Sequence, residues 1–258
     1  MGSPYAILLA LLAALAAGVV GAFAQMRRMA LAGDAVSHIA LPGLGLAFLL
    51  KIHPLLGAAA TLAAGTLLIW QIERRTRLQT ETVIGVVFAT ALAVGALVTP
   101  SEDLIEALFG GFRAPSLAEV AIAGALGTAV LAALVRWKDA FVLNLFSREL
   151  AAATGLHRGK LDLLFLALFA TTVLLGLRFL GALLAGALIA IPAAAARQWV
   201  HRLTPFLVLS AALSTSSVAA GIAIARLKGL AEGPVVVSVA AILFVASLAG
   251  APRKARGA

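Results

Sequence analysis

Long apolar runs, separated by short clusters of charged or turn-forming residues, recur from one end of the chain to the other. Several approach the roughly 20 residues that an α-helix needs to cross about 30 Å of hydrocarbon. The pattern predicts nine spans, at roughly 5–25, 31–50, 54–71, 82–99, 116–135, 161–177, 180–196, 204–225 and 235–251. The runs are apolar on every side and rich in Ala and Leu. A membrane β-barrel needs alternation instead, so the expected fold is all-α: a single polytopic transmembrane domain over 1–258 with eight or nine spans. The division near Arg178 is the narrowest, and a shortened or broken helix there would lower the count to eight. The first run has no basic segment before it and no polar mature domain after it, so it reads as a span and not as a signal peptide.

Composition agrees with this reading. The chain is 62% apolar and 12% charged over 258 residues, with a mean hydropathy of +1.07. Soluble chains run to roughly half apolar and a quarter charged. There is no cysteine, which excludes disulfides, thiolate ligands and thiol catalysis and leaves His, carboxylates and backbone oxygens for any metal. The net charge of +9 is spread between apolar runs and not gathered on one polar face, so it argues against a nucleic-acid partner. It reports topology. With the N-terminus outside and the C-terminus in the cytoplasm, fifteen of the 20 basic residues fall on inner segments and five (Lys51, Arg113, Arg178, Arg226 and Lys228) on outer ones, as the positive-inside rule requires.

The longest inner loop runs from Arg136 to Leu161. Within it, Ser147 to Gly155 reads as a short helix: Ser147 caps its first turn, Glu149 suits its positive end, Ala151 to Ala153 favour helix, and Gly155 closes it. Leu150 shares an apolar face with Leu145, Phe146 and Ala153, while Arg148, Arg158 and Lys160 offer polar contacts. Both a docking helix for a cytoplasmic partner and a helix lying on the lipid headgroups fit this pattern.

The sharpest polar constellation is Gly33-Asp34-Ala35-Val36-Ser37-His38, at the start of the second span. On a helix, the i,i+4 spacing of Asp34 and His38 stacks their side chains on one face, about 5–6 Å apart at Cβ. Carboxylate and imidazole both ligate zinc or manganese, and ionisable groups inside spans tend to line a pathway. Two other readings stay open: Asp34 as a helix cap, and His38 bonded to Asp34 or to a backbone carbonyl. His53, in a His-Pro turn, and His157 and His201, in inner loops, are read as structural. Glu102, Asp103, Glu106 and Glu119 fall at the outer mouth, where their field would attract a cation; a solvated loop fits them as well. Small residues such as Gly181, Ala185 and Gly186, and the serines 210, 214, 216 and 217, allow close helix packing.

Other chemistries lack their motifs. There is no G-x-x-x-x-G-K-[ST] loop for nucleotide phosphates, no H-E-x-x-H helix and no G-x-S-x-G elbow. ATP hydrolysis, if it drives this protein, belongs to another subunit.

Three stretches carry a family resemblance. Arg27-Arg28-Met29 through Gly33-Asp34 to His38 and Leu41-Pro42-Gly43 resembles the second-span signature of zinc-, manganese- and iron-type ABC importer permeases. Glu149-Leu150-Ala151 to Gly155, followed by Leu161-Asp162-Leu163-Leu164, is similar to that family's cytoplasmic coupling segment, about 144–160 here. Gly181-Ala182-Leu183-Leu184 to Ile191-Pro192-Ala193-Ala194 and Ala196-Arg197 resembles its most recognisable span, and Gly233-Pro234 also fits. One departure is Ser147-Arg148, where the family often has an acidic residue.

The resemblance implies a fold like that of type II ABC importer permeases, in a bacterial-type inner or cell membrane. It implies a homodimer with its path between subunits, two cytoplasmic ABC ATPases, and an extracytoplasmic metal-binding protein. Asp34 and His38 would meet the transported divalent metal, and Ser147, Arg148, Glu149, Leu150, Ala151 and Gly155 would meet the ATPase. No cofactor would be tightly bound, and ATP would act through the partner. The alternatives are a permease for a metal chelate such as cobalamin or a siderophore, and a stand-alone secondary cation carrier.

Overall fold

The computed structural model describes residues 4–29, 31–76, 78–98, 115–146, 154 and 157–250. These residues form α1 (Pro4–Met26), α2 (Ala32–Ile39), α3 (Leu41–Leu49), α4 (Pro54–Arg75), α5 (Thr80–Val98) and α6 (Leu117–Arg136). There follow α7 (Lys138–Phe146), α8 (Arg158–Leu180), α9 (Ala182–Trp199), α10 (Leu203–Lys228) and α11 (Glu232–Gly250). No strand occurs among the described residues.

Among the described residues, eight segments are long and apolar enough to cross a membrane, α2 and α3 together making one of them. The chain is an integral membrane protein. The remaining expected span, 180–196, corresponds to α9, which is not among the eight but packs against α1, α2, α8, α10 and α11. Only Gly181 separates α8 from α9; its φ of 94° suits a residue without Cβ and lets the chain reverse at once. The division expected near Arg178 is therefore a tight turn. The interrupted helix is instead the second span, where α2 stops at Ile39 and α3 begins at Leu41 with Pro42 in its first turn. Proline lacks the N–H that a continuous helix would bond at that point.

Other boundaries follow ordinary rules. Pro54 begins α4, where its missing N–H costs nothing. Ser116 and Glu119 form a reciprocal capping box at the start of α6. Gly229, with φ 64°, closes α10 in the left-handed region. One helix, α7, was not expected from the apolar runs; it is short, and Phe141 anchors it by burial.

The core is built around α1, most of whose residues from Leu9 to Ala24 are buried against α6, α8, α9 and α10. α8 and α9 share that core, whereas α4, α5, α6 and α11 keep most of their surface outward. A mostly outward apolar face suits lipid or a second protein, since neither hydrates it.

Candidate metal site and a second polar cluster

α2 starts after Leu31, which makes no side-chain cap. Asp34 thus lies in the first turn but does not cap it, and the positive end of the helix favours its negative charge. The Asp34 side chain is 58% exposed, and its nearest basic atom is His38 Nδ1, 3.9 Å from Oδ1. Among the described residues no hydrogen-bond donor reaches its carboxylate.

His38 is more enclosed, at 14% side-chain exposure. Its Nδ1 lies 2.8 Å from the Asp34 backbone carbonyl. A carbonyl oxygen only accepts, so Nδ1 carries the proton and donates, and Nε2 keeps its lone pair. The same carbonyl accepts from Ser37 Oγ at 2.7 Å. The Phe88 ring, from α5, packs edge-on against the imidazole with centroids 5.5 Å apart. The histidine–carbonyl bond anticipated from the sequence is therefore present, and it is also how a metal-ligating imidazole is usually oriented.

α9 packs directly against this helix. A methyl group on Gly186 would stand 2.6 Å from Asp34 Cα and 2.7 Å from its nitrogen, so the two backbones touch where only glycine fits. Gly186 is roughly 20 Å of helix away from Trp199, at 1.5 Å per residue. The buried face of α2, including Val36 and Ile39, is opposite the Asp34–His38 pair. Asp34 and His38 thus share one edge of α2 beside α5, the carboxylate exposed and the imidazole mostly enclosed against Phe88, and both are of a type that can ligate a cation. Among the described residues no group of three or more His, Asp or Glu side chains could hold a metal ion, so one chain offers two side-chain ligands here.

The remaining candidates lie elsewhere. Glu119 is tied up: its Oε2 accepts from the Ser116 N–H at 2.8 Å, and its Oε1 faces Arg178 at 3.4 Å and His53 Nε2 at 3.6 Å. It joins the start of α6, the end of α8 and the turn before α4, a link that residue spacing does not reveal. Glu102, Asp103 and Glu106 lie outside the described residues, as do Ser147, Arg148, Glu149, Leu150, Ala151 and Gly155.

At the opposite end of the bundle is a cluster that sequence reasoning missed. Asp162 Oδ1 accepts from Asn144 Nδ2 at 2.8 Å and from Arg27 at 3.2 Å, and its Oδ2 lies 3.5 Å from Arg158 Nε. Burial lowers the Arg27 pKa, and Asp162 offsets this only in part; the guanidinium sits 4.2 Å over the Phe165 ring. Trp70 Nε1 donates to the Gly159 carbonyl at 2.7 Å, which brings α4 into the same cluster. A cavity of about 850 Å³ opens beside it, lined in part by Arg27, Trp70, Glu73, Arg158 and Asp162. Only the proximity of basic residues to the ends of the spans hinted at any of this.

Residues 4–251, every described helix included, match the ABC 3 transport family. The chain belongs to that family. Among ABC 3 relatives, the "Manganese transport system membrane protein MntC" of Bacillus subtilis (strain 168) is 33% identical over 262 residues, covering 95% of this chain. The chain spans only 60% of that relative's length. The "Zinc transport system membrane protein TroC" of Treponema pallidum (strain Nichols) is 32% identical over 256 residues, with 93% of this chain and 86% of the relative covered. A solved structure titled "PsaBC from Streptococcus pneumoniae in complex with Fab" superposes with a TM-score of 0.82 at 27% identity, covering 98% of this chain and 94% of that one.

Proposed function

We propose that this ABC 3 family member is the permease subunit of an ABC importer that moves a divalent transition metal ion, zinc, manganese or iron, into the cytoplasm. Manganese and zinc transport proteins among its relatives support that cargo class. The chain supplies the path; a separate cytoplasmic ATPase supplies the energy, and an extracytoplasmic metal-binding protein delivers the ion. The N-terminus lies outside and the C-terminus inside.

The observation that carries this reading is the exposed Asp34 carboxylate beside an imidazole whose Nδ1 is committed to a backbone carbonyl, which leaves Nε2 as its ligating nitrogen. A bare carboxylate facing lipid is costly. A second copy of the chain covering this edge removes that cost. It would also bring two carboxylates and two imidazoles together, a set suited to Zn2+ or Mn2+. The homodimer and the shared metal position are thus one proposal.

In the proposed cycle the ion passes from the binding protein to the Asp34–His38 pair. The Asp34 carbonyl keeps the imidazole in the tautomer that presents Nε2. A site assembled from two half-sites loosens when the halves move apart, and the ion leaves inward once ATP-driven motion rearranges the dimer. No covalent bond is made or broken in this subunit.

Uptake into proteoliposomes, measured with the neighbouring ATPase and binding protein, across manganese, zinc and iron, tests the reading. ATP-dependent accumulation of at least one of these ions supports it. Transport of a chelate in place of the free ion, or ion transport by this chain without the ATPase, would replace it.

A further inference from the structure

The second polar cluster has a geometry that the metal site does not use. Asn144 stands in the last turn of α7, just before residues 147–156, and Arg158 stands just after them, at the start of α8. Both side chains converge on the one carboxylate of Asp162, at 2.8 Å and 3.5 Å. The third group on that carboxylate, Arg27 at 3.2 Å, comes from the turn that leads into α2.

That turn is closed by its own backbone. Arg27 N–H donates to Phe23 O, Met29 N–H reaches back to Ala24 O at 2.8 Å, and Ala32 N–H donates to Met29 O at 3.0 Å. Arg28 holds a left-handed φ of 59°, a conformation that costs a non-glycine residue roughly 1–2 kcal/mol and so persists only where the surroundings fix it. Arg27 is itself clamped over Phe165, whose ring packs against Phe141 of α7 and Phe23 of α1. A displacement of α7 or of the start of α8 would reach Arg27 through these contacts, and from Arg27 the start of the helix that bears Asp34 and His38.

We propose that Asp162 is a positioning residue that couples the flanks of the ATPase-facing segment to the metal-bearing helix α2, through its bonds to Asn144, Arg158 and Arg27. This rests on the permease reading above and adds to it a specific joint. Motion at the segment would move Asp162, Asp162 would carry Arg27, and the half-site on α2 would shift against its counterpart.

The test uses the complete transporter in proteoliposomes, with Arg27→Gln and Asp162→Asn made singly and together. Two quantities are read: manganese or zinc moved per ATP hydrolysed, and equilibrium binding of the same ion to the solubilised permease. The expected result is a loss on the order of tenfold in ions moved per ATP for each single variant. The double variant should be no worse than the poorer single, and equilibrium binding should be unchanged. Normal ions per ATP in both singles would overturn the proposal, as would losses that multiply in the double variant or loss of equilibrium binding. If either variant does not assemble, Asn144→Ala, which spares the Arg27–Asp162 pair, is read against the same criteria. Absence of ion binding by the unaltered chain counts against the metal-permease reading itself, so the two failures are told apart.

Discussion

Gly186 of α9 lies directly against the backbone of Asp34 in α2: a methyl group in place of its hydrogen would stand 2.6 Å from Asp34 Cα. The contact is backbone to backbone, so no side-chain rotation relieves it. Gly186→Ala should push α2 off α9, at an overpacking cost of about 1–3 kcal/mol, and displace the carboxylate. We expect metal affinity to fall along with thermal stability in detergent. Full affinity at unaltered stability would mean that the two helices do not pack this closely.

Phe88 limits the freedom of the His38 ring by edge contact at 5.5 Å. Phe88→Ala removes that wall and leaves both ligand atoms in place. An aromatic contact of this kind is worth about 0.5–1.5 kcal/mol, so ion affinity should weaken several-fold without vanishing. Calorimetric titration of the solubilised permease measures this directly.

Glu119 serves two purposes that substitutions can separate. Glu119→Gln keeps the capping box with Ser116 and removes the charge that faces Arg178 and His53. Partly exposed pairs of this kind contribute about 0.2–1 kcal/mol, so only a small drop in melting temperature is expected. Glu119→Ala also loses the bond that its side chain accepts from the Ser116 N–H, while the Ser116 hydroxyl still accepts from the backbone N–H at position 119; the further loss is about 0.5–1.5 kcal/mol. Equal melting temperatures for the two variants would show that the Ser116 N–H bond contributes nothing.

Ser210 fastens α10 to α1 by donating to the Gly18 carbonyl at 2.6 Å, in a fully buried position. Interhelical hydrogen bonds in membrane proteins average about 0.6 kcal/mol. Ser210→Ala should therefore destabilise the permease slightly and leave metal uptake intact. A large fall in uptake at normal stability would place Ser210 on the path.

Most of the fold was legible in the chain because crossings are written as uninterrupted apolar runs. The expected boundaries lie within a few residues of the helices found, from Pro4–Met26 to Glu232–Gly250. The break in the second span was not legible: Leu41 to Leu49 is apolar throughout, and Pro42 is equally at home in a first helical turn. α7 was missed for a related reason, since Lys138–Phe146 is too short and mixed to stand out as a run.

The candidate site was half legible. Asp34 and His38 are four apart on one helix, so local geometry alone brings them together. Gly186 was readable as a packing residue, but its partner was not, because Asp34 and Gly186 meet only through tertiary structure. The same holds for Arg27 and Asp162, which are separated by 135 positions. Periodicity describes one element at a time and carries no information about which distant element it touches.

The most direct test of the central claim is metal uptake by complete transporters carrying Asp34→Ala or His38→Ala, with co-purification of the ATPase measured in parallel. The account predicts that each substitution abolishes uptake while the ATPase still co-purifies in normal amounts. Undiminished uptake in both variants would contradict it and remove this pair from the path of the ion.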